Sequence, residues 1–104
     1  MKDVVKKQVD EIVDGIDAGK KAEDFADAAQ KDPYVFVMEA EGKLLVHPTL
    51  VGESLKEKAG PVFDEVAKGT TEGVYVKYEW AGAKKCTYSR KTKSGLIVGS
   101  GYNE

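Results

Sequence analysis

At 104 residues and 11.3 kDa the chain has room for one hydrophobic core and not for two. Its composition, 41% hydrophobic and 33% charged with a net charge of −2, is that of an ordinary globular domain and argues against a nucleic-acid or anionic-membrane surface. No apolar stretch approaches the roughly 20 residues needed to span a bilayer, and a single cysteine and a single histidine argue against an internal disulfide and a metal site.

The charge is unevenly placed. The last third, residues 71–104, holds six basic and three acidic groups, whereas the first 32 residues hold six and nine. Either the late lysines guard exposed strand faces against edge pairing, or one or two of these cations turn inward to meet an anionic ligand.

In residues 4–16 Val5, Val9, Ile12, Val13 and Ile16 recur at helical spacing between charged residues, which predicts an amphipathic helix ended by Gly19. A shorter helix is expected over residues 22–30, with Ala22, Phe25, Ala26 and Ala29 on one face and Glu23 and Asp24 near its positive end. Pro33 then turns the chain out of helix.

Residues 34–38, Tyr-Val-Phe-Val-Met, form a continuous apolar run rich in strand formers. A run with no alternation needs cover on both faces, so it is expected to be a central strand. Glu39-Ala40-Glu41-Gly42 supplies a turn, Leu44-Leu45-Val46 returns as a second strand, and Pro48 ends the pairing just after His47. Residues 49–60 are too sparsely apolar for a core strand and read as a loop with one helical turn. Pro61 opens a compact helix that closes at Gly69, with Val62, Phe63 and Val66 inward.

From Glu72 the period changes to two. Val74, Val76, Tyr78 and Trp80 share the expected core face, opposite Tyr75, Lys77 and Glu79. A fourth strand, residues 84–91, sets Cys86, Tyr88 and Arg90 on one face and Lys85, Thr87 and Ser89 on the other. Residues 96–98 make the last strand, and Gly99-Ser100-Gly101 leaves room for a close neighbour, either a partner backbone or a ligand. The predicted class is therefore α+β, a five-stranded antiparallel sheet with N-terminal helices and a short helix over one face.

Three blocks in order carry a family resemblance: Tyr34-Val35-Phe36-Val37 with its acidic-Gly turn and the His47-Pro48 exit, Val76-Lys77-Tyr78-Glu79-Trp80, and Gly95-Leu96-Ile97-Val98-Gly99-Ser100-Gly101-Tyr102. Together they resemble the single Cache domains, PAS-like sensor modules of bacterial chemoreceptors and sensor kinases. The resemblance covers roughly residues 22–104, and the first helix matches it only in character. It implies one domain over residues 1–104, helices in 1–31 and a sheet with a pocket-covering loop and helix in 32–104. It also implies a small-molecule ligand, with a carboxylate the leading class, no cofactor and no catalysis, an extracytoplasmic or periplasmic setting, and a homodimer through the first helix. The start of the sequence lacks the apolar core of a secretory signal, so that setting requires a signal or anchor absent from these residues.

In the family the third strand runs aromatic-Arg-Trp and the fourth Lys-x-Ser-Tyr; here the matching positions read Tyr78-Glu79-Trp80 and Lys85-Cys86-Thr87-Tyr88. The resemblance nominates His47, Tyr78, Trp80, Lys85, Tyr88 and Arg90 as ligand contacts. Lys85 and Arg90 have opposite parity, so only one can face a pocket. Glu79 reverses the family's charge: facing the pocket it would repel an anion and favour an amine or zwitterion, whereas alternation with Tyr78 and Trp80 points it to solvent. A carboxylate held by His47 would raise the pKa of its imidazole. A cytoplasmic PAS-like interaction module, its cavity filled by its own side chains, is the alternative; an enzyme would need His47 paired with Cys86, Asp64 or Glu65, none at a recognisable spacing.

Overall fold

The computed structural model describes residues 2–104. Helix α1 (Lys2–Asp17) is followed by a 3-10 segment (Ala22–Gln30), strands β1 (Val35–Met38) and β2 (Leu44–Val46), helices α2 (Leu55–Lys58) and α3 (Gly60–Val66), and strands β3 (Val74–Trp80), β4 (Ala83–Lys91) and β5 (Ile97–Asn103). The five strands form one antiparallel sheet in the order β2-β1-β5-β4-β3. The predicted α+β class holds.

The sheet is the middle of three layers. On one face α1 and the 3-10 segment bury Val5, Val9, Ile12, Val13 and Ala29 against Val35, Val37, Tyr88 and Val98. On the other, α2, α3 and the loop before them cover Phe36, Met38, Leu44, Val76 and Ile97. This explains why residues 35–38 are apolar without alternation: odd and even side chains enter different cores, and all four are buried. As expected, β1 pairs with β2 on one side and β5 on the other, but β5 is the strand at the middle of the sheet.

The predicted second helix is a 3-10 segment kinked at Phe25, entered through a hydrogen bond from the Lys21 N–H to the Asp24 Oδ2 at 3.0 Å. The tight turn of the β1–β2 hairpin is made by Gly42 at φ +108°, a conformation that L side chains avoid. The last strand is longer than residues 96–98. It runs on through both glycines to Asn103, where a Cβ at Gly99 would clash with the tip of the Phe36 ring and one at Gly101 would clash with the Thr87 hydroxyl. The glycines therefore admit side chains of neighbouring strands.

Candidate functional site

Between the sheet and its α2–α3 cover lies a pocket lined by Tyr34, Phe36, Leu44, His47, Leu55, Val62, Tyr78 and Trp80. Each strand brings side chains of one parity: Tyr34 just before β1 and Phe36 within it, Leu44 at the start of β2, and Tyr78 and Trp80 at the end of β3. The space left open to the centre of a water-sized sphere is only about 20 Å³, enough for a water molecule. On the same face a second, wider hollow of about 290 Å³ is bounded by Asp32, Tyr34, Lys85, Gly101 and Asn103. Tyr34 stands between the two spaces and belongs to both.

Three polar groups converge on this face. The Tyr78 hydroxyl is 2.7 Å from the Thr87 Oγ1, and burial pushes its pKa up to about 12, so it remains a neutral phenol at every physiological pH. The Lys85 ammonium sits 5.1 Å from the centre of the Tyr34 ring and makes no ion pair among the described residues. Burial lowers its pKa, offset in part by the Asp32 carboxylate nearby. It is a partly desolvated cation supported by an aromatic face.

His47 packs edge-on against Tyr34 with ring centroids 5.4 Å apart. Its Nδ1 accepts the backbone N–H groups of both Thr49 and Leu50, at 3.1 and 3.0 Å. The neutral imidazole therefore carries its proton on Nε2, and the ring fastens the turn after β2 while lining the pocket. Burial, followed by the charge of Lys85, lowers its pKa from the ordinary 6.5. A histidine depressed on folding contributes stability that is complete above its unfolded value and is lost as pH falls toward the folded value. Stability should thus decline from about pH 6.5 downward, and His47→Gln should flatten that part of a urea-midpoint profile. An unchanged slope in the variant would assign it to another group.

Of the six residues nominated from sequence, the structure brings His47, Tyr78, Trp80 and Lys85 to one face. Tyr88 and Arg90 are not with them. Tyr88 is buried under α1, its hydroxyl donating to the Glu72 carbonyl at 3.1 Å. Arg90 reaches the Asp10 Oδ1 of α1 at 3.0 Å and donates through Nε and Nη2 to the Thr71 carbonyl at 2.9 and 2.6 Å. Strand parity forces this: β4 sends Cys86, Tyr88 and Arg90 toward α1 and Lys85, Thr87 and Ser89 toward the pocket. Glu79 is exposed beside Lys77 and away from the pocket face, and Cys86 is buried on the face opposite His47.

Sequence reasoning missed Tyr34, Phe36, Leu44, Leu55 and Val62 as lining residues. A run without alternation carries no parity signal, and the cover residues come from loop-flanked helices whose docking is tertiary.

Two solved structures share this architecture. The ligand-binding domain of Mlp24, determined with asparagine, superposes with a TM-score of 0.50 at 16% identity over 67% of this chain and 28% of that one. The ligand-binding domain of the Pseudomonas aeruginosa PAO1 amino acid chemoreceptor PctB, in complex with L-Arg, gives 0.50 at 19% over 68% and 31%. The chain has the fold of a Cache-type sensor domain. At these identities the likeness is one of fold, and the present chain spans less than a third of either neighbour. In this chain side chains of β1, β2 and β3 floor the pocket and α2 and α3 lie over it. No family model and no curated protein sequence matches this chain.

Proposed function

We propose that the chain is a non-catalytic sensing domain that binds a small polar metabolite bearing a carboxylate, a free amino acid or short organic acid, on the sheet face beneath α2 and α3. Lys85 carries this reading: a half-buried ammonium without an ion pair, at the junction of an apolar pocket and a wider hollow, is a ready partner for one carboxylate. Tyr78 and the His47 Nε2–H supply neutral donors, and Phe36, Leu44 and Trp80 supply apolar walls for a carbon chain. The two fold neighbours were solved with amino acids, which supports a ligand of that size. An extracytoplasmic setting belongs to the same reading; among the described residues no helix is long and apolar enough to cross a membrane.

The inner pocket is too small for an amino acid as it stands. Binding therefore requires α2 and α3 to lift or Tyr34 to swing, which joins the inner space to the outer hollow. Such a ligand-selected opening is how a sensor converts occupancy into movement. The same small volume favours a second reading, an interaction module whose cavity is filled by its own side chains.

A thermal-shift screen against proteinogenic amino acids, short organic acids and amines separates the two. A ligand at 100 times its Kd stabilises the native state by about 2.7 kcal/mol, a rise of roughly 10 °C or more for a domain of this size. For whichever carboxylate raises the melting temperature, Lys85→Ala should weaken binding about tenfold or more while leaving the ligand-free melting temperature nearly unchanged. Equal affinity in both proteins would remove Lys85 from the site. Stabilisation by no compound at millimolar concentration would favour the interaction module.

A further inference from the structure

Strand β3 is the long free edge of the sheet. Its residues Val74–Trp80 pair with β4 on one side, and among the described residues no backbone pairs with the other. The outward-facing N–H and C=O groups of its alternate residues form a template for another strand, and proteins commonly discourage such pairing with charges, lysine above all. Here the charges are of both signs. Lys77 and Glu79 stand two residues apart on the same exposed face, and a surface hollow of about 610 Å³ runs along them.

We infer that β3 pairs antiparallel with β3 of a second copy, with the two-fold axis at Tyr78. A two-fold axis perpendicular to the sheet keeps each face continuous, so it must pass through a residue and set residues of equal parity opposite one another. Centred on Tyr78, it sets Lys77 against the partner's Glu79 and Glu79 against the partner's Lys77. Centred on Lys77 or on Glu79 it sets like charges face to face. Within one copy Glu79 already lies opposite Lys84 of β4, so the Tyr78 register extends an alternating row, Lys84, Glu79, then Lys77 of the partner. On the other face the same register sets Val76 against the partner's Trp80, whose ring is only partly covered within one copy.

The charge of Lys77 is free to be exchanged. Its ion pair with Glu104 is long, 3.4 Å, and its side chain is 68% exposed, conditions under which such a pair holds little energy. Helix α1 offers no comparable surface, because Val5, Val9, Ile12 and Val13 are spent on the sheet and Val4 is its one exposed large apolar residue. The pairing stands independently of any ligand reading.

The test is a charge swap followed by sedimentation equilibrium across micromolar to millimolar protein. Wild type should show a concentration-dependent dimer, and Lys77→Glu and Glu79→Lys should each weaken it about tenfold or more, since each creates two like-charged pairs by symmetry. The combined K77E/E79K chain restores opposite charges at both positions and should dimerise as wild type does. Both sites are exposed, so in protein too dilute to dimerise the four chains should melt within a few degrees of one another, Glu79→Lys losing only its exposed pairing with Lys84. Amide exchange of wild type supplies a second readout: β3 amides should gain protection as concentration rises. A wild type that is monomeric at millimolar concentration, a dimer indifferent to either single change, or a combined swap no tighter than the single changes would overturn the inference.

Discussion

Phe36→Ala is expected to lower the free energy of unfolding by about 3–5 kcal/mol, read as a drop in urea midpoint without change of slope. The ring is 6% exposed, packs among Met38, Leu44 and Ile97, and also walls the inner pocket. Its β5 neighbour in register is Gly99, over whose Cα the ring lies. Gly99→Ala by itself should therefore cost about 1–3 kcal/mol through overpacking, because the new Cβ would overlap the tip of the buried Phe36 ring. In the Phe36→Ala background the same methyl enters the vacated space. The double variant should be more stable than the sum of the two losses predicts, by about 1 kcal/mol or more. Additivity to within a few tenths of a kcal/mol would show that the sheet shifts instead of the ring.

Arg90→Ala should cost about 1.5–3 kcal/mol, the range for hydrogen bonds involving a charged group. One guanidinium, with its side chain 19% exposed, fastens three elements: β4 that carries it, the Thr71 carbonyl before β3, and Asp10 on α1. Arg90→Lys should recover little, since an ammonium cannot reproduce the planar fork. Burial by itself would raise the pKa of Asp10, but hydrogen bonds from Lys6 and Arg90 outweigh it and hold the carboxyl below the ordinary 3.8. A carboxylate depressed on folding contributes stability that is full above its unfolded value and is lost as pH falls through the folded value. Arg90→Ala should therefore shed part of its stability deficit as pH drops below about 4. That window lies apart from the one His47 governs, which begins at about 6.5. A deficit independent of pH through the acid range would place the role of Arg90 on the Thr71 carbonyl alone.

The elements and much of their order were legible because each rests on local chemistry. The apolar spacing of Val5, Val9, Ile12 and Val13 makes α1 whatever it packs on, Gly42 makes the turn, Pro48 ends β2, and alternation from Val74 to Trp80 declares one face apolar. The same alternation showed that Lys85 and Arg90 must part company and that Tyr78 and Trp80 go together. Which face each pair would occupy was not legible, because parity is relative until a covering layer is placed on the sheet. The docking of α1 decides it, taking Tyr88 and Arg90 and leaving Lys85 with Tyr34 and His47. Tyr34 and Phe36 were hidden for a related reason: a strand buried on both faces is apolar throughout, and only its pairing with β2 and β5 tells which side chains meet the pocket. The length of β5 was also a tertiary matter, since Gly99 and Gly101 read as a break along the chain and become continuous strand only where Phe36 and Thr87 fill the space above them.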